Sequence, residues 1–150
     1  MIWRELAKNR ANRKVFDRYE NVQLPPPEAG REWSPYWHAG SHPDCVERVW
    51  NTLGDTLPED CKFLALGRPV LAHPRSGFVF AMPYGTAYAL WLPEPQHNAA
   101  RAAGLRATHS WSTGPPTDIA DELGEGWLFG AWDAREVEWV KAAYAAAADQ

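Results

Sequence analysis

The sequence predicts an α+β fold in which a central antiparallel sheet of about four to five strands is packed by helices. Short apolar runs separated by turn residues fill residues 63–92, as in a β-meander. Apolar residues recur at helical spacing in residues 3–20, 43–53 and 134–148. Of the 150 residues, 45% are hydrophobic and 23% are charged, which is ordinary globular composition. A chain of this length predicts a single domain spanning 1–150.

The first two helices are predicted from apolar spacing and from the residues that end it. Residues 3–20 carry an apolar or aromatic side chain at every fourth position: Trp3, Ala7, Ala11, Val15 and Tyr19. Three prolines at 25–27 then exclude a continuing helix, because proline lacks the amide hydrogen. The helix over 43–53 starts at Pro43, which suits a first turn, and Gly54 is predicted to end it. Its apolar face comprises Val46, Val49, Trp50 and Leu53.

The strands of the meander are predicted from the turns between them. Gly, Pro and Ser residues at 67–69, 74–77 and 83–86 mark the turns, and strands joined by tight turns pair antiparallel. Both faces of these strands are apolar, so we expect helices to cover the sheet. Four further elements follow: a helix at 96–103, a strand at 106–111, a helix at 118–123 capped by Thr117, and a strand at 127–129.

The final helix, residues 134–148, is predicted to begin with a capping box formed by Asp133 and Glu136. It has two apolar sides. One side carries Val137, Val140, Tyr144 and Ala148. Trp139 points almost opposite to them. Such a helix is either enclosed within the fold or meets a partner with one side.

The charge pattern limits the classes of partner. The formal net charge is −4, which argues against nucleic acid, because phosphate binding needs clustered positive charge. Residues 1–20 hold six basic and three acidic residues, whereas 118–150 hold eight acidic and two basic residues. This asymmetry would steer a charged partner or pair the two ends of the fold, unless both are simply solvated faces. Without a membrane-spanning run, a signal-peptide pattern or a disulfide framework, we expect a cytoplasmic protein with no membrane partner.

One group of side chains could bind a metal or perform catalysis: His38, His42, Cys45 and Cys61. Four such ligands complete a zinc tetrahedron, although their spacing matches no zinc finger. Zinc with one open position would support hydrolysis. Alternatively, Cys45 in the first turn of a helix would have a lowered pKa and act as a nucleophile beside a histidine. A zinc- or cysteine-dependent hydrolase is therefore the alternative function, against the simpler interpretation that both cysteines are inert and buried.

The aromatic content favours binding over catalysis. The chain has nine Trp, five Tyr and five Phe. Trp33, Tyr36 and Trp37 lie in a Gly-, Ser- and Pro-rich segment and are predicted to contact a partner, as are Trp139 and Glu136 of the last helix. The competing interpretation is that the tryptophans close over the core. We expect a small non-catalytic protein-binding domain, an inhibitor or toxin-neutralising (immunity-type) protein, whose acids and aromatics meet a basic partner protein without a cofactor.

Overall fold

The structure is a computed structural model that describes residues 6–21, 43–65, 68–130 and 135–150. Its strands are β1 Lys62–Ala65, β2 Arg68–Ala72, β3 Val79–Tyr84, β4 Ala87–Trp91, β5 Thr108–His109, β6 Thr117–Asp118 and β7 Trp127–Phe129. A five-stranded antiparallel sheet has the order β1-β2-β3-β4-β7, and β5 and β6 form a separate two-stranded ribbon. The predicted α+β class and antiparallel meander are confirmed.

The described helices are α1 Arg13–Asn21, α2 Pro43–Glu47, α3 Glu94–Ala102, α4 Ile119–Leu123 and α5 Glu136–Ala147. A 3-10 turn, Arg10–Asn12, precedes α1, and a π-helical segment, Arg48–Leu53, continues α2. None of the helices within the described ranges is long and apolar enough to cross a membrane.

Helices cover the sheet from opposite faces. Tyr84 pairs with Ala87 across the β3–β4 hairpin, so its side chain shares a face with Ala87 and opposes that of Tyr88. The Tyr88 hydroxyl donates a hydrogen bond to Glu136 of α5, whereas the guanidinium of Arg18 in α1 lies 3.6 Å from the Tyr84 ring centroid. Therefore α5 and α1 lie on opposite faces, and every residue of β3 and β4 is buried between them.

The predicted continuous helix over 3–20 is wrong at Asn9. The Asn9 backbone is extended, with φ −76° and ψ 114°, and its side chain accepts a hydrogen bond of 3.0 Å from the amide of Ala11. Asparagine side chains compete with the helix for backbone groups, so the chain breaks at Asn9 and α1 begins at Arg13. Of the predicted range, residues 1–5 lie outside the described residues.

Asn12 anchors the start of α1 to the β2–β3 turn. Its side chain is fully buried and donates hydrogen bonds to the carbonyls of Leu6 and Gly77, at 2.8 Å and 2.7 Å. The same side chain accepts a hydrogen bond of 2.8 Å from the amide of Val79. Since buried polar groups need partners, these bonds fix the α1 layer on the sheet.

The predicted helix over 43–53 has the expected bounds, because the π-helical segment that continues α2 ends at Leu53 and Gly54 caps it. Its geometry differs from the prediction, since it changes from α to π at Arg48. Gly54 keeps helical φ and starts a further 3-10 turn. A Cβ at this position would lie 3.0 Å from Lys62 Cε and 3.3 Å from Leu71 Cδ2. The glycine therefore also allows close packing against the sheet.

The last helix buries one continuous face instead of two. Its buried residues recur at spacings of three and four: Glu136, Trp139, Val140, Ala143 and Ala147. Val137 and Tyr144, from one of the two predicted apolar sides, are half-buried and pack against the core beside this face. Asp133, the predicted capping residue, lies outside the described residues. Glu136 turns into the interior instead of back to the helix start, which contradicts its predicted capping role.

The connection from β4 to β7 largely follows the predictions. The helix expected at 96–103 is α3, and Gly104 has the positive φ of 109° that ends it. Within the predicted strand over 106–111, only β5 and an isolated pairing of Arg106 with Phe129 form. Asp118, not Thr117, caps α4, because its Oδ1 accepts a 3.0 Å hydrogen bond from the amide of Ala120.

Candidate functional site

Most residues predicted to form a site lie outside the described part of the chain. These are the aromatic residues Trp33, Tyr36 and Trp37 and the potential zinc ligands His38 and His42. The structure therefore places only the four remaining predicted residues, two on α5 and two cysteines.

Trp139 and Glu136, predicted to contact a partner, are in the interior, with exposed fractions of 4% and 3%. Glu136 forms an ion pair with Arg48 and accepts a 3.2 Å hydrogen bond from the Tyr88 hydroxyl. The guanidinium of Arg135 lies over the Trp139 ring, 4.5 Å from its centroid. Glu136 thus joins α5 to the π-helical segment and to the sheet, whereas Trp139 packs against Arg135, which directly precedes α5.

Cys45 and Cys61 are buried free thiols. Burial, with a smaller contribution from Asp44, raises the pKa of Cys45. Burial also raises the pKa of Cys61 to about 11, and Asp60 adds to this effect. A raised pKa is the opposite of the activation that a nucleophilic thiol requires. Within the described ranges, no group of three or more His, Cys, Asp or Glu side chains is placed to hold a metal ion.

Four rings gather where the end of β3 meets the β5–β6 ribbon. We call them the aromatic cluster: Tyr84, His109, Trp111 and Phe129. Their centroid distances run from 4.2 Å, for His109 and Trp111, to 6.3 Å, for Trp111 and Phe129. Tyr84 and Phe129 are buried, whereas His109 and Trp111 are half-buried. The cluster therefore presents these last two rings to solvent.

The Trp111 ring is held in place before any partner binds. Its indole N–H donates a 2.7 Å hydrogen bond to Thr117 Oγ1. The ring also covers Gly85, where a Cβ would lie 3.2 Å from two of its carbons. Ordering this side chain on binding would therefore cost little entropy.

Charged groups from two helices flank the aromatic cluster. Burial raises the pKa of Tyr84, the Arg18 guanidinium opposes this shift, and the Glu122 carboxylate adds to it. Arg18 comes from basic α1 and Glu122 from acidic α4, and these two helices pack against each other. The opposite charges seen in the sequence are thus brought together within the fold.

An open groove of about 520 Å³ lies between α3 and the start of α4, and we call it the acidic groove. Trp91 and Trp127 form its apolar wall. Its charged lining consists of Glu94, Asp118 and Glu125 with a single guanidinium, that of Arg101, and His97 lies beside them. The carboxylates are exposed, so the groove combines an apolar wall with a negative rim.

A second groove, of about 410 Å³, adjoins the first one, and we call it the basic groove. It shares Trp91, Trp127 and Glu125 with the acidic groove. Its cations come from the turn before α1 and from the first turn of α1: Arg10, Arg13 and Lys14. Two grooves of opposite charge therefore lie on either side of one tryptophan wall.

Sequence patterns did not point to the aromatic cluster or to the grooves. Trp91 and Trp127 lie in apolar runs typical of core strands, and both are buried. The one signal was the acidic run from 118 to 125 beside Trp111 and Trp127. Comparison with protein-family models finds no match, and comparisons with curated proteins and with solved structures find none either.

Proposed function

We propose that the chain is a non-catalytic protein-binding domain of the inhibitor or toxin-neutralising kind, which binds a basic partner protein. The surface that supports this proposal, here the acidic-aromatic surface, comprises His109, Trp111, the acidic groove and the exposed acids of α4. The observation that carries the proposal is the position of α4. Its Glu122 carboxylate is close enough to Tyr84 of the aromatic cluster to raise the pKa of that side chain, and its Ala120 lines the acidic groove beside the tryptophan wall.

The arrangement has the two parts of a protein interface. Half-buried Trp111 offers apolar area with its orientation already fixed, as interface anchors do. Asp121 and Glu122 are exposed on α4, and Glu125, also exposed, follows shortly after the end of this helix. Such carboxylates would steer a basic partner into contact and disfavour acidic proteins.

A capture experiment tests the proposal. The tagged chain would be used as bait in a lysate of its source, next to the variants Trp111→Ala and Asp121→Lys/Glu122→Lys. The matched control is Glu138→Lys, an exposed charge reversal on α5 at the opposite face of the sheet. We expect a basic protein to be captured by the wild type and the control at least about ten-fold better than by either variant. Urea unfolding of each variant would verify that it is folded.

The captured protein then provides a functional readout. Adding the purified chain in equal amount should inhibit that protein's activity, and raising salt should slow association, since steering between exposed charges is screened. Equal capture by the wild type and by both surface variants would overturn the proposal.

A further inference from the structure

The 124–126 turn, Gly124-Glu125-Gly126, separates the acidic groove from the basic groove. Both glycines have positive φ, 108° and 92°. A Cβ on Gly126 would lie 2.5 Å from Trp91 Nε1 and 2.8 Å from Trp91 Cδ1. The turn backbone thus rests on the edge of the indole, which fixes the position of each groove relative to the other.

The charges on the two sides of the 124–126 turn are opposite and available. On the acidic side, Glu94 and Asp118 face a single guanidinium from Arg101. On the basic side, Arg10, Arg13 and Lys14 share the groove with the single carboxylate of Glu125. Of these three cations, Arg13 has a described ion pair, with Asp17 at 3.9 Å. The Arg13 side chain is 84% exposed, so this solvated pair leaves its charge free to act.

The wall between the grooves also offers a hydrogen-bond donor. Trp91 is only 9% exposed, yet it lines both grooves. Among the residues that the structure describes, none accepts a hydrogen bond from its indole N–H. This N–H lies at Gly126, which lines the acidic groove. A donor in this place matches a peptide carbonyl that crosses the 124–126 turn.

We propose that the two grooves together bind one extended segment of the partner protein, in which a basic stretch and an acidic stretch lie next to each other. The basic stretch occupies the acidic groove, the acidic stretch occupies the basic groove, and a backbone carbonyl between them accepts from Trp91. This proposal rests on the proposed function and names the segment recognised. A uniformly basic segment would meet Arg10, Arg13 and Lys14 and be repelled there.

Three capped peptides of one composition test this proposal. Two contain a lysine pair and a glutamate pair separated by two glycines, in the two possible orders. The third contains the same residues with lysine and glutamate alternating. Binding would be followed at low salt through the indole N–H signals of the labelled chain, with Trp91→Phe and Trp127→Phe assigning the two signals of the wall.

We expect at least one of the peptides with separated charges to bind about ten-fold more tightly than the alternating peptide and to shift the two wall signals. Arg13→Gln/Lys14→Gln and Glu94→Gln should each reduce that preference to less than about three-fold. The control, Glu138→Gln, should keep it. Equal affinity for all three peptides, or shifts confined to other tryptophans, would overturn the proposal.

The capture experiment separates this inference from the proposed function. If the Asp121→Lys/Glu122→Lys variant loses the partner while Arg13→Gln/Lys14→Gln captures it fully, the partner is basic and the two-groove inference is wrong. If the peptides discriminate as expected but capture is insensitive to all surface variants, the proposed function is wrong.

Discussion

Replacing Asn12 by alanine should destabilise the fold more than its small size suggests. The substitution removes three buried hydrogen bonds, which join the carbonyls of Leu6 and Gly77 and the amide of Val79 to one side chain. Each bond contributes about 1 kcal/mol net, and stranding its buried partner costs more. We expect Asn12→Ala to lower the free energy of unfolding by about 3–5 kcal/mol, a large part of the roughly 5–15 kcal/mol typical of a domain.

Urea unfolding followed by circular dichroism would measure this loss. The matched control is Asn9→Ala, which removes a partly exposed cap and should cost about 1 kcal/mol. Asn12→Asp provides an independent test, because a carboxylate there would face two carbonyl oxygens. Its pKa would be raised in the folded state, so stability would be highest in acid and would decrease as pH rises through that pKa. An Asn12→Ala variant within about 1 kcal/mol of the wild type would refute the reasoning.

Three further predictions concern packing, the buried ion pair and a thiol. Gly126→Ala should lower the free energy of unfolding by about 3 kcal/mol, because φ is positive and the added Cβ would meet the Trp91 indole. Gly104→Ala also has a positive φ but no atom within 4 Å of the added Cβ, so it should lower the free energy of unfolding by about 1 kcal/mol. Urea unfolding midpoints of the two variants would measure this difference. Glu136→Ala should lower the free energy of unfolding by about 3 kcal/mol, because it leaves the Arg48 charge without this partner. The double variant Arg48→Met/Glu136→Met should recover most of this stability. A double-mutant cycle that shows no coupling between the two positions would contradict the prediction. The raised pKa of Cys61 predicts that the contribution of this thiol to stability is fully present below pH 9.0 and is lost as pH rises towards 11. Urea midpoints measured across that range should therefore decrease less in Cys61→Ala than in the wild type.

The sheet could be predicted because its pairing is local. Between β1 and β4, neighbouring strands are separated in the sequence by only two to six residues that include Gly or Pro, so strand order follows chain order. The fifth strand is different, because β7 returns to the sheet after α3, the β5–β6 ribbon and α4. Its place beside β4 depends on contacts distant in sequence, such as the hydrogen bond from the Gly130 amide to the Tyr88 carbonyl.

Two of the differences share a cause, since the polar side chains of Asn12 and Glu136 bond partners that are far along the chain. Asn12 reads as one position of a helix, but its amide group bonds the turn at Gly77. Glu136 reads as a helix-capping residue, but its carboxylate pairs with Arg48 from the π-helical segment. Apolar periodicity cannot reveal such pairings. The grooves escaped prediction for the same reason, because Glu94 and Arg13 meet Trp91 only in three dimensions.

The β2–β3 turn is hydrogen-bonded both to the 3-10 turn before α1 and to the end of α5. Asn12 bonds the carbonyl of Gly77, while Ser76 Oγ donates 2.6 Å to the carbonyl of Ala147, and Arg75 donates 3.1 Å to the carbonyl of Ala148. The 3-10 turn before α1 and the end of α5 are therefore both bound by three consecutive residues of this turn. Neither segment can unfold without disturbing the hydrogen bonds of the other, so their amide protons should exchange with solvent in a single cooperative event.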